Sequence, residues 1–541
     1  MNYDYAIYGG GPTGLFLAYL LGAKYNIILI EKENELGGCW KHEWVEGKYY
    51  SEHAPRVFMD DNGFIFDIFR EIGMNKEKDF VNTYGSKLET NYKIIKFFFN
   101  KLTLRDKLIF FMALFSNLNN LTFKEWMDIN KISKKGKNAL RILSIVVANT
   151  PEKILASEIF EMTNFPLQFL QHKNPQKWID LMKHALKQKK VTIIKGELQQ
   201  IHTEFGLLKN YQKIYAKKHL LTLPPYNLIK TIKNSPENIQ NNWIPKDKLD
   251  KWLNSSHYRS VGFQFHFKEK ISTPKEWCWS CSNKYTIIVL PISDFITTFS
   301  KDPNIKAVWS CTIVDHTTVK DLTKEQIIDE VKNILNVNPD KVTFYNGLYR
   351  VNGQWLSKDT AFSLGKEGVF PRYGKLNNWI TVGPHNRKGI TVINKTAEIA
   401  KEFLEENNIA LSKKLSQHNI NMLTIERRIG ILFLLSVFLV SLFDKITDFK
   451  DLLNKTQNLP FPLLAALFAI GSQLSGVTVI TLAEFKIINS TYAKYGIYSM
   501  VLFTLLATYF FHNIFTNPSQ KFHFLKNLSI VGGLIVLSSY Y

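Results

Sequence analysis

Three glycines spaced by two and three positions, Gly9, Gly11 and Gly14, are the residues of this sequence whose chemistry is easiest to read. They lie in Gly9-Gly10-Gly11-Pro12-Thr13-Gly14, and a carboxylate follows at Glu31. This spacing suits phosphate. Gly9 permits a tight turn, Gly11 lets the backbone approach a pyrophosphate, and Gly14 lets a helix and a strand pack closely. An acid at Glu31 is placed to accept hydrogen bonds from a ribose diol. Such residues work only if regular elements hold them. Tyr5–Tyr8 reads as a short buried strand, Leu15–Leu21 as a helix, and Asn26–Ile30 as a second buried strand ending at the acid. The helix start would then present free N–H groups and the positive end of its dipole to the phosphates, with Pro12 and Thr13 in its first turn. Strand, glycines, helix, strand and acid in that order point to a dinucleotide.

The residues after the acid narrow this to FAD. Lys32 is followed by Glu33-Asn34-Glu35-Leu36 and then Gly37-Gly38-Cys39-Trp40. A second glycine pair gives a backbone turn that passes close to a pyrophosphate, which a plain NAD domain does not need. Here the chain resembles the FAD-dependent amine oxidase and phytoene desaturase superfamily, whose pattern is an acid, a short spacer and Gly-Gly-Arg. Cys39 stands where that family has arginine, so one expected phosphate contact is missing.

The resemblance implies roles further along. The segment Tyr50-Ser51-Glu52-His53-Ala54-Pro55-Arg56 matches the stretch that runs under the flavin toward the substrate, making His53 and Arg56 the candidate proton-transfer or anion-holding pair; a surface turn with a satisfied histidine is the competing reading. Leu198 matches a strand that lends backbone contacts to adenine, and Leu220–Pro225 matches the superfamily's strand ending in paired prolines. The closing stretch Asn378–Asn386 keeps Gly383 but has Pro384 in place of the family's acid. A helix from about Thr391 to Leu404 follows, and its N-terminus, at Thr391 and Val392, is expected at the flavin's N1/O2 edge. The resemblance covers roughly residues 1 to 410.

Other stretches read as structure. Thr103–Asp106 and Thr122–Glu125 look like helix-starting capping boxes in a helix-rich region. Phe97 to Phe99 with Leu108–Phe115 form an apolar stretch that suits a greasy entrance, a membrane surface or an ordinary buried helix. Val261–Phe267 alternates as a half-buried strand, with Phe263, Phe265 and Phe267 on one face. Trp178–Leu186, Val191–Ile194, Glu197–Ile201, Ile287–Leu290 and Ala307–Val314 read as a helix and four strands.

Composition removes several classes. Hydrophobic residues make up 45% and charged residues 21%, ordinary values for a folded chain. The net charge of +21 suits an anionic membrane face. The basic residues are scattered, with no nucleic-acid motif, so no nucleic-acid partner is expected. Four cysteines are too few for a disulfide scaffold. Cys278 and Cys281 have redox-motif spacing but lack the surrounding pattern and read as packing cysteines, and no metal site is expected. Met1–Tyr8 already reads as a strand, so the N-terminal part is expected in the cytosol.

The tail differs. Ile429–Phe443, Leu459–Ala483, Tyr495–Phe511 and Leu528–Tyr541 are apolar runs, against about 20 residues for a full span. About four membrane helices are expected, with three as the alternative. Lys413, Lys414, Arg427 and Arg428 favour a cytosolic flavin domain. No run carries a charge in its middle, which suits an anchor rather than a transporter.

The expected fold class is α/β: a Rossmann-like FAD-binding domain with an inserted α+β substrate domain, then an all-α transmembrane segment. The FAD-binding parts are 1–90, 176–257 and 351–412; the substrate parts are 91–175 and 258–350; the membrane domain is 428–541. The expected function is a membrane-anchored, FAD-dependent oxidoreductase that takes a hydride from a hydrophobic (isoprenoid-like) or amine substrate beside membrane lipid. Two alternatives stand beside it. Gly37-Gly38-Cys39-Trp40 also resembles the turn of UDP-galactopyranose mutases, although no arginine cluster suited to two sugar phosphates accompanies it. A flavin-fold membrane protein without turnover would explain Cys39 and Pro384.

Overall fold

Strand β1 (Tyr3–Tyr8) and strand β2 (Ile27–Glu31) run parallel, with Tyr5 opposite Ile27 and Tyr8 opposite Ile30. Every residue of β2 is buried, as befits a central strand covered on both faces. Helix α1 (Pro12–Leu21) joins them and is itself buried all round. A helix with no polar face must be enclosed, and the sheet and two later helices, α4 (Lys177–Gln188) and α5 (Ile393–Glu406), enclose it.

These elements come from a computed structural model, which describes residues 3–538 apart from 55, 60–62, 83–101, 114–117, 119, 147–149, 162–168, 255–256, 259, 272–278, 282–284, 314, 358–360, 363–365, 367, 388–392, 485–490 and 513–517. The chain divides into two compact units, residues 1–415 and 416–541.

In the first unit the main sheet has the order β3-β2-β1-β6-β5-β4, where β3 is Thr192–Lys195, β4 Leu198–Ile201, β5 Phe205–Leu208 and β6 Lys213–Leu221. Strand β6 has a divided edge. One side pairs along its length with β1, from Tyr3 opposite Ala216 to Tyr8 opposite Leu221. Its other side pairs first with β5, antiparallel, and then with β12 (Trp379–Thr381), parallel, with His219 opposite Trp379. Pro224 and Pro225 end the strand and begin a helix over Pro225–Lys233.

A second sheet is antiparallel throughout, in the order β8 (Trp279–Cys281), β9 (Thr286–Pro291), β10 (Ala307–Ile313), β7 (Val261–Phe267), β11 (Lys341–Phe344). Strand β7 corrects its sequence reading: all seven residues are buried, so neither face is solvated. Phe263, Phe265 and Phe267 join one apolar core, while Gln264 and His266 are buried on the opposite face. The cover over that second face is the segment Tyr50–Arg56. Gln264 Nε2 donates to Glu52 O at 2.8 Å, and a Cβ on Gly262 would lie 2.0 Å from His53 O.

The helix-rich stretch contains α2 (Leu104–Ala113) and α3 (Phe123–Ile129). Both starts are capped as the sequence predicts. Thr122 and Glu125 exchange side-chain-to-backbone bonds at 3.2 and 2.9 Å, and Thr103 and Asp106 do the same at 3.1 and 3.3 Å. Residues 97–99 and Cys278 lie outside the described residues.

The second unit is helical: the rest of α6 (Lys413–Thr447), then α7 (Pro462–Glu484), α8 (Thr491–Phe511) and α9 (Lys521–Ser538). By length and composition, Pro462–Ala483 and Tyr492–Phe511 are long and apolar enough to cross a membrane. The outer runs, Ile429–Phe443 and the described part of 528–541, fall within α6 and α9. Helices α7 and α8 meet at glycines: a Cβ on Gly476 would lie 3.0 Å from Gly496 O, the close approach that small residues permit.

Candidate functional site

The glycine turn after β1 is held by backbone geometry. Gly9 has φ +114°, a conformation L side chains rarely adopt. A Cβ on Gly14 would sit 1.9 Å from Gly9 O, so only glycine lets α1 start this close to β1. Thr222, just past β6, donates its hydroxyl to Tyr8 O and Gly9 O, both at 2.9 Å, and locks the turn from below. Gly11 caps α1 with no side-chain bond, and Pro12 supplies no N–H, so the N–H groups of the first turn, including those of Thr13 and Gly14, are presented outward from the helix start.

A second backbone loop faces the first. Gly37 (φ +108°) and Gly38 (φ +54°) fold the chain back, and Gly37 N–H donates to Gly10 O at 2.8 Å. A Cβ on Gly38 would lie 2.9 Å from Gly11 Cα, whereas a Cβ on Gly11 would meet nothing nearer than 4.0 Å. The turn is therefore closed around Gly9 and Gly14 and open at Gly11, a cradle with room for a pyrophosphate beside two strands of bare backbone. These residues fit a dinucleotide.

Glu31 stands at the tip of β2, buried, with both carboxylate oxygens accepting backbone N–H groups: Gly10 at 2.6 Å and Glu33 at 2.9 Å. It borders a cleft of about 710 Å³ lined also by Asn34, Lys187 and Lys190. Lys32 points to solvent beside Glu33, 3.9 Å away. Leu198 opens β4 as a buried residue, two positions beyond Gly196, whose N–H donates to Glu31 O at 2.8 Å. Half-buried Cys39 lies in the short turn Gly38–Trp40, and the Trp40 ring packs on Phe58 with centroids 4.9 Å apart.

Gly383 is fully extended (φ −179°), a backbone any residue adopts. Asn386 does the work there: its Oδ1 accepts from Gly383 N–H at 2.8 Å, and its Nδ2 donates to Phe370 O and Thr381 Oγ1 at 3.0 and 2.8 Å. Helix α5 begins at Ile393, and Thr391 and Val392 lie outside the described residues.

The segment Tyr50–Arg56 is a buried polar cluster. Arg56 is 6% exposed and Glu52 1%. The Arg56 guanidinium donates to Lys41 O at 2.6 Å, bonds His53 Nδ1 at 2.9 Å and lies 3.9 Å from a Glu52 oxygen. That same oxygen accepts from Tyr50 OH at 3.1 Å. Burial pushes the Glu52 carboxyl up, and the Arg56 charge opposes the rise. Two imidazoles complete the group. Burial, with the Arg56 charge behind it, holds His172 down to about 3 and His42 down to about 4, so both rings are neutral. The His42 ring lies parallel to Tyr50 at 5.1 Å and borders a cleft of about 790 Å³ with Lys41, Trp44, Asn174 and Lys301.

The cluster joins His53 and Arg56, as the sequence reading pairs them, but it is buried rather than a surface turn. Glu52, His42 and His172 are absent from that reading. Glu52 sits next to His53 in the sequence, and the polar Gln264 and His266 alternating with phenylalanines in β7 were the available signal that the sheet's second face had a polar cover.

Comparison with known proteins agrees with the geometry. Residues 7–72 match the NAD(P)-binding Rossmann-like domain family. Among solved structures, wild-type putrescine oxidase bound to putrescine is similar over 76% of this chain and 100% of its own, at 13% identity and a TM-score of 0.54. An oxidoreductase from Methanosarcina mazei is similar over 74% of this chain and 99% of its own, at 13% identity and a TM-score of 0.51. No curated protein matches. The first unit thus contains a Rossmann-like domain. Its whole architecture, second sheet included, is the amine-oxidase-like fold.

Proposed function

We propose that this protein is a membrane-anchored, FAD-dependent oxidoreductase of the amine-oxidase type. The observation that carries the reading is the pair of facing glycine loops, closed at Gly9 and Gly14 and open at Gly11, with Glu31 at the strand tip. Gly11, Thr13, Gly14 and Gly38 would hold the pyrophosphate with backbone groups, Glu31 would turn a carboxylate oxygen from Gly10 to the ribose, and Leu198 would flank the adenine. FAD, when bound, would accept a hydride from a C–H bond as the adjoining C–N or C–C bond becomes a double bond. The chain's own part is to position the substrate: Arg56 is a fixed cation, and His42 and His172 are neutral rings able to hydrogen-bond without taking up a proton. The substrate class is hydrophobic or amine. Helices α7 and α8, together with exposed apolar side chains such as Phe433, Leu464 and Tyr509, support an anchoring role for the second unit.

The purified full chain is expected to be yellow, with a flavin spectrum, and to bleach anaerobically when given an amine or an isoprenoid. Bleaching by a nicotinamide cofactor alone would instead favour the mutase-type chemistry. A colourless protein that binds no added FAD would overturn the reading and favour a structural role, to which Cys39 and Pro384 would then belong.

A further inference from the structure

Helix α2 carries an apolar stripe on its outward side. Leu104, Leu108 and Met112, each four residues after the last, are 75%, 59% and 61% exposed. The inward side is satisfied: Asp106 is fully buried and accepts from Ser133 N–H and hydroxyl at 3.0 and 2.5 Å, and Ala113 is buried in the local core. The helix thus packs inward by the opposite face.

A second element extends it. Arg105 Nη1 and Nη2 donate to the carbonyls of Lys131 and Asn130 at 2.9 and 3.2 Å, which ties the end of α3 to α2. Ile129, 64% exposed, is the last residue of α3, so a fourth large apolar side chain is held in the tied turn. The charges around the patch are basic. Lys131, Lys134 and Lys135 are exposed and form no ion pair among the described residues, while Asp128 is already bonded by Lys124 and Lys137 at 2.7 and 2.5 Å.

We infer that this face of the first unit, Leu104, Leu108, Met112 and Ile129 ringed by Lys131, Lys134 and Lys135, lies on an anionic lipid bilayer. Apolar side chains at helical spacing enter the boundary between headgroups and acyl chains, and lysines beside them meet acidic headgroups. A soluble protein partner would need an apolar patch matched to four exposed side chains and an acidic rim around it. A bilayer supplies both, and the chain's net charge of +21 adds to the attraction. The inference goes beyond the proposed function. It gives the first unit a membrane contact of its own, made by different residues from those of the helical second unit, and it would hold whatever reaction the cradle supports.

The test uses the full chain in vesicles of phosphatidylcholine with phosphatidylserine. A photo-crosslinking benzophenone amino acid is placed at Leu108 or Met112, and, as a control, at Tyr211, which is 81% exposed in a hairpin turn of the same unit. Lipid adducts at Leu108 and Met112 are expected at roughly fivefold the level at Tyr211 or more, falling when phosphatidylserine is omitted or Lys131, Lys134 and Lys135 are changed to glutamine. Adducts no higher than at Tyr211, or adducts to a second copy of the chain, would overturn the inference. Flotation of the same samples separates the two ideas: a chain that does not float with the vesicles fails the anchoring proposal, whereas a chain that floats without lipid adducts at these positions fails only this one.

Discussion

The glycine cradle and the Tyr50–Arg56 cluster lie in the same sheet-based unit, yet they hold their shape by opposite means. The cradle is backbone: two loops, four glycines and one threonine hydroxyl fix it, and a missing Cβ is its main feature. The cluster is side chain: a carboxylate, a guanidinium and an imidazole within one segment, with the rings of His42 and His172 beside them, and the buried charges oppose each other in sign. Sterics enforce the first and electrostatics the second. The first should therefore fail when an atom is added, the second when a charge is removed.

The largest effect should come from removing the cation. Arg56→Met leaves Glu52 buried without its counter-charge, and breaking a buried pair costs about 3–5 kcal/mol. Denaturant unfolding should show that loss, and Glu52→Gln combined with Arg56→Met should recover a good part of it. A double variant as unstable as the single one would mean that the pair does not act as a unit.

Adding one methyl group sharpens the contrast within the cradle. Gly14→Ala drives a Cβ against Gly9 O and should cost about 1–3 kcal/mol as an overpacked site. Gly11→Ala meets open space at φ −73° and should leave unfolding within about 0.5 kcal/mol of the parent, while lowering the flavin content of the purified protein. Flavin content unchanged in Gly11→Ala would remove Gly11 from the site.

The smallest effect is a pH dependence that belongs to the cluster alone. His172 and His42 titrate near 3 and 4 in the fold, below the ordinary imidazole value, so the unfolded chain takes up protons first as the pH drops. Their contribution is complete above about pH 6.5 and is progressively lost as pH falls from there toward the folded values, by about 1 kcal/mol or less per imidazole between pH 7 and 6. Melting temperatures across that range should fall less for His172→Gln than for the parent.

The same contrast explains what could be read from the sequence. Gly9, Gly14, Gly37 and Gly38 are legible because a backbone or packing constraint fixes residue type at fixed local spacing. The capping pairs Thr122–Glu125 and Thr103–Asp106 are legible for the same reason, since each works within one turn. Glu52 was legible only in part: Arg56 is four residues on, but the Gln264 side chain that meets its carbonyl comes from a sheet packing that no local spacing encodes. Strand β7 was misread likewise: alternation finds an apolar face but is silent on what covers the other. Asn386 was not legible because its partners Phe370 and Thr381 lie outside its own turn, and Gly383 is held by packing, a Cβ there lying 2.7 Å from the buried His385 ring, not by its extended backbone.

The divided edge of β6 sets a timetable for the molecule. The cradle is written in the opening residues, but its floor is Thr222, 213 positions after Gly9, and the strand that ends just before Thr222 is finished by β12 near residue 380. A ribosome thus releases the phosphate turn long before it releases the parts that brace it. Such distant pairings make assembly slow, and the early segment spends that interval exposed. A fragment holding only the opening strands and helix would carry every residue of the glycine pattern and still lack the bracing that gives the pattern its shape.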